Sequence, residues 1–239
     1  MSDTIQLGDI LILVIRKNVK NVHLSVHPPD GRVTLVAPLA TRLDVARAYG
    51  ISRLGWIRKQ QEKLQNQARE APRLFVERES HYLWGRRYLL SINFREAKPT
   101  VTLDHKRIKL AVRPESGADK RAEVIHTWHK SLLHAVVPSL IAKWELILNV
   151  KVKGYFLQRM KTRWGSCNPG RGHIRLNTEL VKKPKDLLEY VIVHEMAHLL
   201  VPTHSEQFAA ILTEHWPNWQ VSRAELNELP LSAEAWRMA

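Results

Sequence analysis

The most chemically suggestive stretch of this 239-residue chain is His194-Glu195-Met196-Ala197-His198, with His204 after five intervening residues. Residues four apart on a helix differ in direction by roughly 40°, since each residue turns about 100°. His194 and His198 can therefore reach one ion from one helix face. Glu195 lies further round, where it can hold a water bound to the same ion. Two imidazoles and an adjacent carboxylate are the working parts of a zinc hydrolase, ligands plus general base. A third imidazole, from His204, would leave one of zinc's four positions open, which separates a catalytic site from a closed structural one. Glu206 is the rival for that third place.

These residues need a helix, and the local sequence provides one. Asp186 to Leu200 (DLLEYVIVHEMAHLL) holds no Pro or Gly, with Pro184 where a helix can begin and Pro202 beyond its end. It is apolar nearly all round and reads as a core helix. Two His and a Glu buried on such a helix are costly unless something compensates them, and a metal does. Pro202 then turns the chain. Thr203, three residues before Glu206, predicts a capping box that opens a second helix over Ser205 to about His215, with His204 projecting back towards the first. Tyr190 lies four residues before His194 on the same face and is a candidate substrate or ligand-supporting contact.

Further pieces carry a family likeness. They are Met160-Lys161-Thr162-Arg163-Trp164-Gly165-Ser166-Cys167, Ile174-Arg175-Leu176-Asn177, Tyr190 to Leu199, and His204-Ser205 with Phe208. On these, the segment from about Trp144 to Trp219 resembles the YgjP-like metallopeptidase family, metal-dependent hydrolases with a zincin-type HExxH core. A weaker likeness runs upstream through Tyr82-Leu83-Trp84-Gly85. The resemblance implies His194, His198 and His204 as metal ligands, Glu195 as catalytic base, and a peptide bond as the substrate. It also brings forward Arg163 and Asn177, which sit in the matching blocks, as substrate contacts or supports for the ligands. The third-ligand spacing equals that of the metzincins, but Val201 stands where they carry Gly, which argues against that clan. Trp164 reads as core, and Cys167 as a structural thiol more than a fourth ligand.

Composition sets outer limits. The length allows one large domain or two small ones, and 44% hydrophobic residues make the chain globular. No run of about 18 uninterrupted apolar residues predicts a membrane span. Ile10 to Ile15 is too short and too β-branched for a signal peptide. A single cysteine excludes an intrachain disulfide and points to a reducing, cytoplasmic compartment.

The net charge of +14 is uneven: residues 1–113 carry 21 basic and 10 acidic side chains, residues 114–239 carry 16 and 13. Such a basic half attracts nucleic acid, nucleotides or other polyanions, although no dense basic run or interleaved aromatic pattern marks a recognition module. This keeps two other functions in view. One is a metal-dependent nucleotide or phosphoanhydride hydrolase of the nucleoside triphosphate pyrophosphatase type, with Arg163, Arg175, Lys182 and Lys183 as phosphate contacts. The other is a nucleic-acid-binding module.

The overall pattern is α+β: an N-terminal, basic, mainly-β region with one helix (1–113), then a zincin-like helix–hairpin–active-site-helix domain (114–239). Strands are expected over 5–16, 20–27 and Val33 to Ala37, with a turn at Pro28-Pro29-Asp30-Gly31. A helix follows from Thr41 to about Arg69, opened by Thr41 and Asp44. More strands are expected over Tyr82 to Phe94 around Gly85, and a hairpin over Val101 to Val112 around Asp104. The loop Pro114 to Asp119 is the expected boundary, and no internal repeat is visible. A long helix to about Leu148 should kink or split at Pro138 and present Val124, Trp128, Leu132 and Ala135 as its stripe. His126, His129 and His134 on it read as packing or surface residues. Two strands, Val152 to Trp164 and His173 to Leu176, flank a Gly/Pro turn. A short helix over about 221–228 ends before Pro230.

Overall fold

A computed structural model describes residues 2–27, 31–66, 73–160 and 163–228. The expected features at Pro28 to Asp30, Arg69, Lys161, Thr162 and Pro230 lie outside these residues. The chain forms two compact units that divide at Ala68/Arg69.

In the first unit, the expected strand over 5–16 is a hairpin of β1 (Ser2–Leu7) and β2 (Ile10–Lys17). Gly8, at φ +62°, supplies the left-handed turn between them. With β3 (His23–His27) and β4 (Arg32–Pro38) they form a sheet of order β1-β2-β4-β3, in which β2 and β4 are parallel. Strand alternation turns Ile10, Ile12, Val14, Val33, Leu35 and Ala37 to the core. The single helix expected here is two, α1 (Leu43–Ser52) and α2 (Leu54–Asn66), interrupted at Arg53. Its N-cap is Arg42, without a side-chain cap bond, and not Thr41. A Cβ at Gly50 would stand 3.0 Å from Ile12, so the glycine that weakens α1 lets it approach the sheet.

The second unit begins with β5 (Ser80–Leu83), β6 (Arg86–Phe94), β7 (Thr100–Leu103) and β8 (Arg107–Val112), in sheet order β5-β6-β8-β7. Its pairings (antiparallel, parallel, antiparallel) repeat those of the first sheet. The fold thus repeats a strand topology that the sequence does not betray, because it conserves alternation and turn positions and not residue identity. Trp84 and Gly85, both at positive φ, make the tight β5–β6 turn. Their amides donate to the carbonyls of Val181 and Lys182 at 2.8 and 3.1 Å, and a Cβ on Gly85 would meet Pro184 at 2.9 Å. The hairpin is therefore built against the approach to the His194 helix. This is why β5 to β8 group with the helices, and why the loop over 114–119 falls inside a unit.

Helix α3 (Ala118–Leu148) runs through Pro138 as one element. Its buried seam is Ile125, His129, Leu133, Val137, Ile141, Trp144 and Leu148, one residue on from the expected stripe, and Ala135 is exposed. By length and composition α3 could cross a bilayer, which a search for uninterrupted apolar runs misses. Its seam, however, packs into the cores of this unit, as that of a core helix does. Three strands follow. The strand expected over Val152 to Trp164 is the shorter β9 (Gly154–Gln158), and it lies parallel to β11 (His173–Asn177) instead of forming a hairpin with it; the antiparallel partner of β11 across the turn at Pro169–Arg171 is β10 (Gly165–Asn168), a strand beyond the expected ones. α4 (Lys185–Ala197), α5 (Glu206–His215) and α6 (Trp219–Glu228) complete the unit. Leu187, Leu188, Ile192, Val193 and Met196 of α4 are fully buried between α3 and the β9–β11 sheet.

Candidate metal centre

The three histidines meet. One ring nitrogen from each of His194, His198 and His204 lies within 4.8 Å of the others. α4 ends at Ala197, so His198 is its C-cap, yet its backbone (φ −66°, ψ −15°) stays helical and keeps the four-residue offset from His194. The chain then folds back tightly, the Val201 amide donating to the Ala197 carbonyl at 3.0 Å. α5 is capped by Ser205, whose hydroxyl accepts from the Phe208 amide, and not by Thr203. The result brings His204 Nε2 to 3.1 Å from His194 Nε2.

Phe208 is the packing residue of the cluster. It is buried, with its ring 5.1, 4.5 and 4.9 Å from the rings of His194, His198 and His204. His198 Nδ1 donates to the Val201 carbonyl at 3.2 Å, which leaves its Nε2 lone pair for the cluster. Among the described residues, His194 Nδ1 is buried without a partner, so the ring's engagement is on the Nε2 side. Burial, then the neighbouring imidazoles, pushes the His194 pKa down to about 3, and burial lowers that of His198. Neutral rings with converging lone pairs are what a cation requires. Zinc ligands at roughly 2.0–2.1 Å stand about 3.3 Å apart around a tetrahedron, close to the Nε2 separation seen. The residues fit a divalent metal.

Glu195 is 6% exposed, and burial pushes its pKa up to about 8, opposed by the charge of Arg163. Above it runs the start of β10: a Cβ on Gly165 would stand 2.5 Å from Glu195 Oε1. Glu195, His194 and His204 open into a cavity of about 230 Å³, lined also by Arg163, Trp164, Tyr190 and Arg223. Burial raises the Tyr190 pKa to about 12, so its phenol keeps its proton.

The remaining sequence candidates separate. Arg163 and Tyr190 line the cavity. Asn177 is fully buried and committed to backbone: it accepts from the amides of Met160 and Glu179 and donates to the carbonyls of Met160 and Arg163. It anchors the segment that carries Arg163 and does not face the cavity. Cys167 is half-buried, its thiol pushed up to about 11 by burial. Of the proposed phosphate contacts, Lys182 pairs with Glu179 at 2.6 Å, Lys183 lies over Trp164 and Arg175 over Phe156. Buried His129 packs beside Trp128, and His134 bonds the Tyr155 hydroxyl at 2.9 Å. Sequence reasoning missed Arg223 and Asn227, and it named Gly165 and Phe208 only within the blocks of family likeness, with no role for either. Only Gly165, a glycine inside a strand, carried a local signal of close approach.

A model of the YgjP-like family, metallopeptidase domain, matches residues 20–229. Among solved structures, the chain is similar to the metallopeptidase zymogen of abylysin from Pyrococcus abyssi (20% identity, TM-score 0.36, 38% of this chain and 91% of that one). It is also similar to the zymogen of jannalysin from Methanocaldococcus jannaschii (22% identity, TM-score 0.33, 38% and 90%). A search of curated proteins finds no match.

Proposed function

Because this chain belongs to the YgjP-like metallopeptidase family, we propose that it is a zinc-dependent peptidase with His194, His198 and His204 as ligands and Glu195 as general base. The observation that carries this reading is the convergence of three imidazoles beside a buried carboxyl at the floor of a cavity. A divalent cation held by the trio supplies the Lewis acid that makes water a nucleophile near neutral pH. With a cation held by the trio countering the effect of burial and favouring its carboxylate form, Glu195 takes the proton from the attacking water and delivers it to the departing amine. Its burial gives it the proton affinity to hold that proton between the two events. Tyr190, protonated throughout, serves as a donor to the developing oxyanion. The lone thiol of Cys167 suits a reducing cytoplasm.

The test is a panel of casein-type and short peptides alongside nucleoside triphosphates, with the full chain loaded with zinc and with chelator added. Peptide cleavage that stops with chelator is expected, and Glu195→Gln should retain the metal while losing about 10²–10⁴-fold in turnover. Full activity in that variant, or turnover of the triphosphates alone, overturns the reading.

A further inference from the structure

The cavity above the histidines is lined by two solvent-exposed arginines that the peptidase reading does not use. Arg163 enters on the segment leading into β10, and Arg223 on α6. α6 is firmly seated. Leu226 is 4% exposed in the core, Trp216 Nε1 donates to Ser222 Oγ at 3.1 Å, and Trp219 Nε1 donates to Thr213 Oγ1 at 3.0 Å. Arg223, Leu226 and Asn227 stand at i, i+3 and i+4, so one helix face directs all three to the cavity.

Among the described residues, neither guanidinium forms an ion pair or a hydrogen bond, and Glu195 is the one acidic side chain lining the cavity. Both charges are felt at the reacting groups: Arg163 acts on Glu195, and Arg223 on His194 and Tyr190. A site built to receive a cation has thus gathered two further positive charges. That repulsion is relieved by an arriving anion. About 230 Å³ is below the roughly 300–1,000 Å³ that engulfs a whole small molecule, and suits one side chain or a chain end.

On the peptidase reading, we propose that the cavity selects a peptide with a carboxylate beside the scissile bond, clamped by Arg223 and Arg163 as specificity-determining residues. The carboxylate is an Asp or Glu side chain or a free C-terminus. The planar guanidinium fork matches a carboxylate in two parallel hydrogen bonds. If the two arginines instead stabilised only the oxyanion, they would act on every substrate alike. A clamp acts on acidic ones.

The experiment measures binding separately from cleavage. Zinc-loaded Glu195→Gln full chain is titrated calorimetrically with twin peptides that differ only in Asp against Asn at each position, and in free against amidated C-terminus. One acidic member should bind about 10- to 100-fold more tightly than its amide twin. Whether the favoured twin differs in a side chain or at the terminus identifies the carboxylate. In Arg223→Gln, and separately in Arg163→Gln, the ratio should fall towards one, with Arg223→Lys restoring part of it. In the active chain the preference should appear in KM more than in kcat. Equal binding of all twins, a ratio that survives both arginine replacements, or a nucleoside triphosphate that outbinds every peptide overturns the clamp. Acidic preference without cleavage would remove the peptidase reading and leave the clamp; cleavage without preference would do the reverse.

Discussion

The Gly165 backbone lies so close to the Glu195 carboxyl that a Cβ at position 165 would stand 2.5 Å from Oε1 and 2.7 Å from Cγ. The strand over α4 leaves room for that carboxyl and for no further atom. Gly165→Ala should therefore drive Glu195 from its place, since a side chain moves more cheaply than two packed backbones. The expected result is a loss of about 10²-fold in kcat/KM with zinc stoichiometry and melting temperature nearly unchanged. Steady-state kinetics beside metal analysis checks it; a variant of normal activity would mean that Glu195 tolerates displacement.

Phe208 touches all three imidazole rings from one buried position. Phe208→Ala should cost about 3–5 kcal/mol of stability and also weaken zinc binding, because it removes the wall against which the three imidazoles align. Urea unfolding of the metal-free chain isolates the first effect, and competition with a chelator the second. Unfolding at the parental midpoint would contradict the packing role.

Asn177 spends its amide on four backbone groups at the segment carrying Arg163. Asn177→Leu would leave buried carbonyls and amides unpaired, each costing about 1–3 kcal/mol. The stability loss should be equally large with and without zinc, as follows for an anchor and not for a group that contacts substrate. Denaturant melts of both forms make the comparison.

The motif was legible because its geometry is local. The His194–His198 offset and the adjacent Glu195 follow from one turn of helix, and the proline at 202 located the fold-back that delivers His204. What escaped is what long-range packing decides. Phe208 reads as one more apolar residue until α5 is laid across α4, and Arg223 as a surface charge until α6 closes the cavity wall. The α3 stripe shifted by one residue, since Val124 and Trp128 are apolar enough to mimic a seam that burial assigns to Ile125 and the polar His129. The boundary moved to 68/69 because the Trp84–Gly85 turn is hydrogen-bonded to the chain just before α4, a contact nearly a hundred residues long in sequence.

His129 gives a pH dependence with a definite sign. Burial holds its pKa well below the ordinary 6.5. Below pH 6.5 the unfolded chain takes up a proton that the folded chain refuses, so stability falls as pH drops and is fully present above that value. The slope from this residue is up to about 1.4 kcal/mol per pH unit. His129→Leu should flatten the stability profile between pH 6.5 and 5 relative to the parent. Parallel profiles for the two chains would show that His129 titrates normally in the fold.

The central claim is that three imidazoles share one divalent ion, and metal titration tests it most directly. Zinc added to the metal-free full chain, followed by calorimetry and elemental analysis after desalting, should reach one equivalent per chain. His194→Ala and His198→Ala should abolish tight binding, and His204→Ala should weaken it sharply. Absence of stoichiometric binding, or one equivalent retained with all three histidines replaced, would contradict the account.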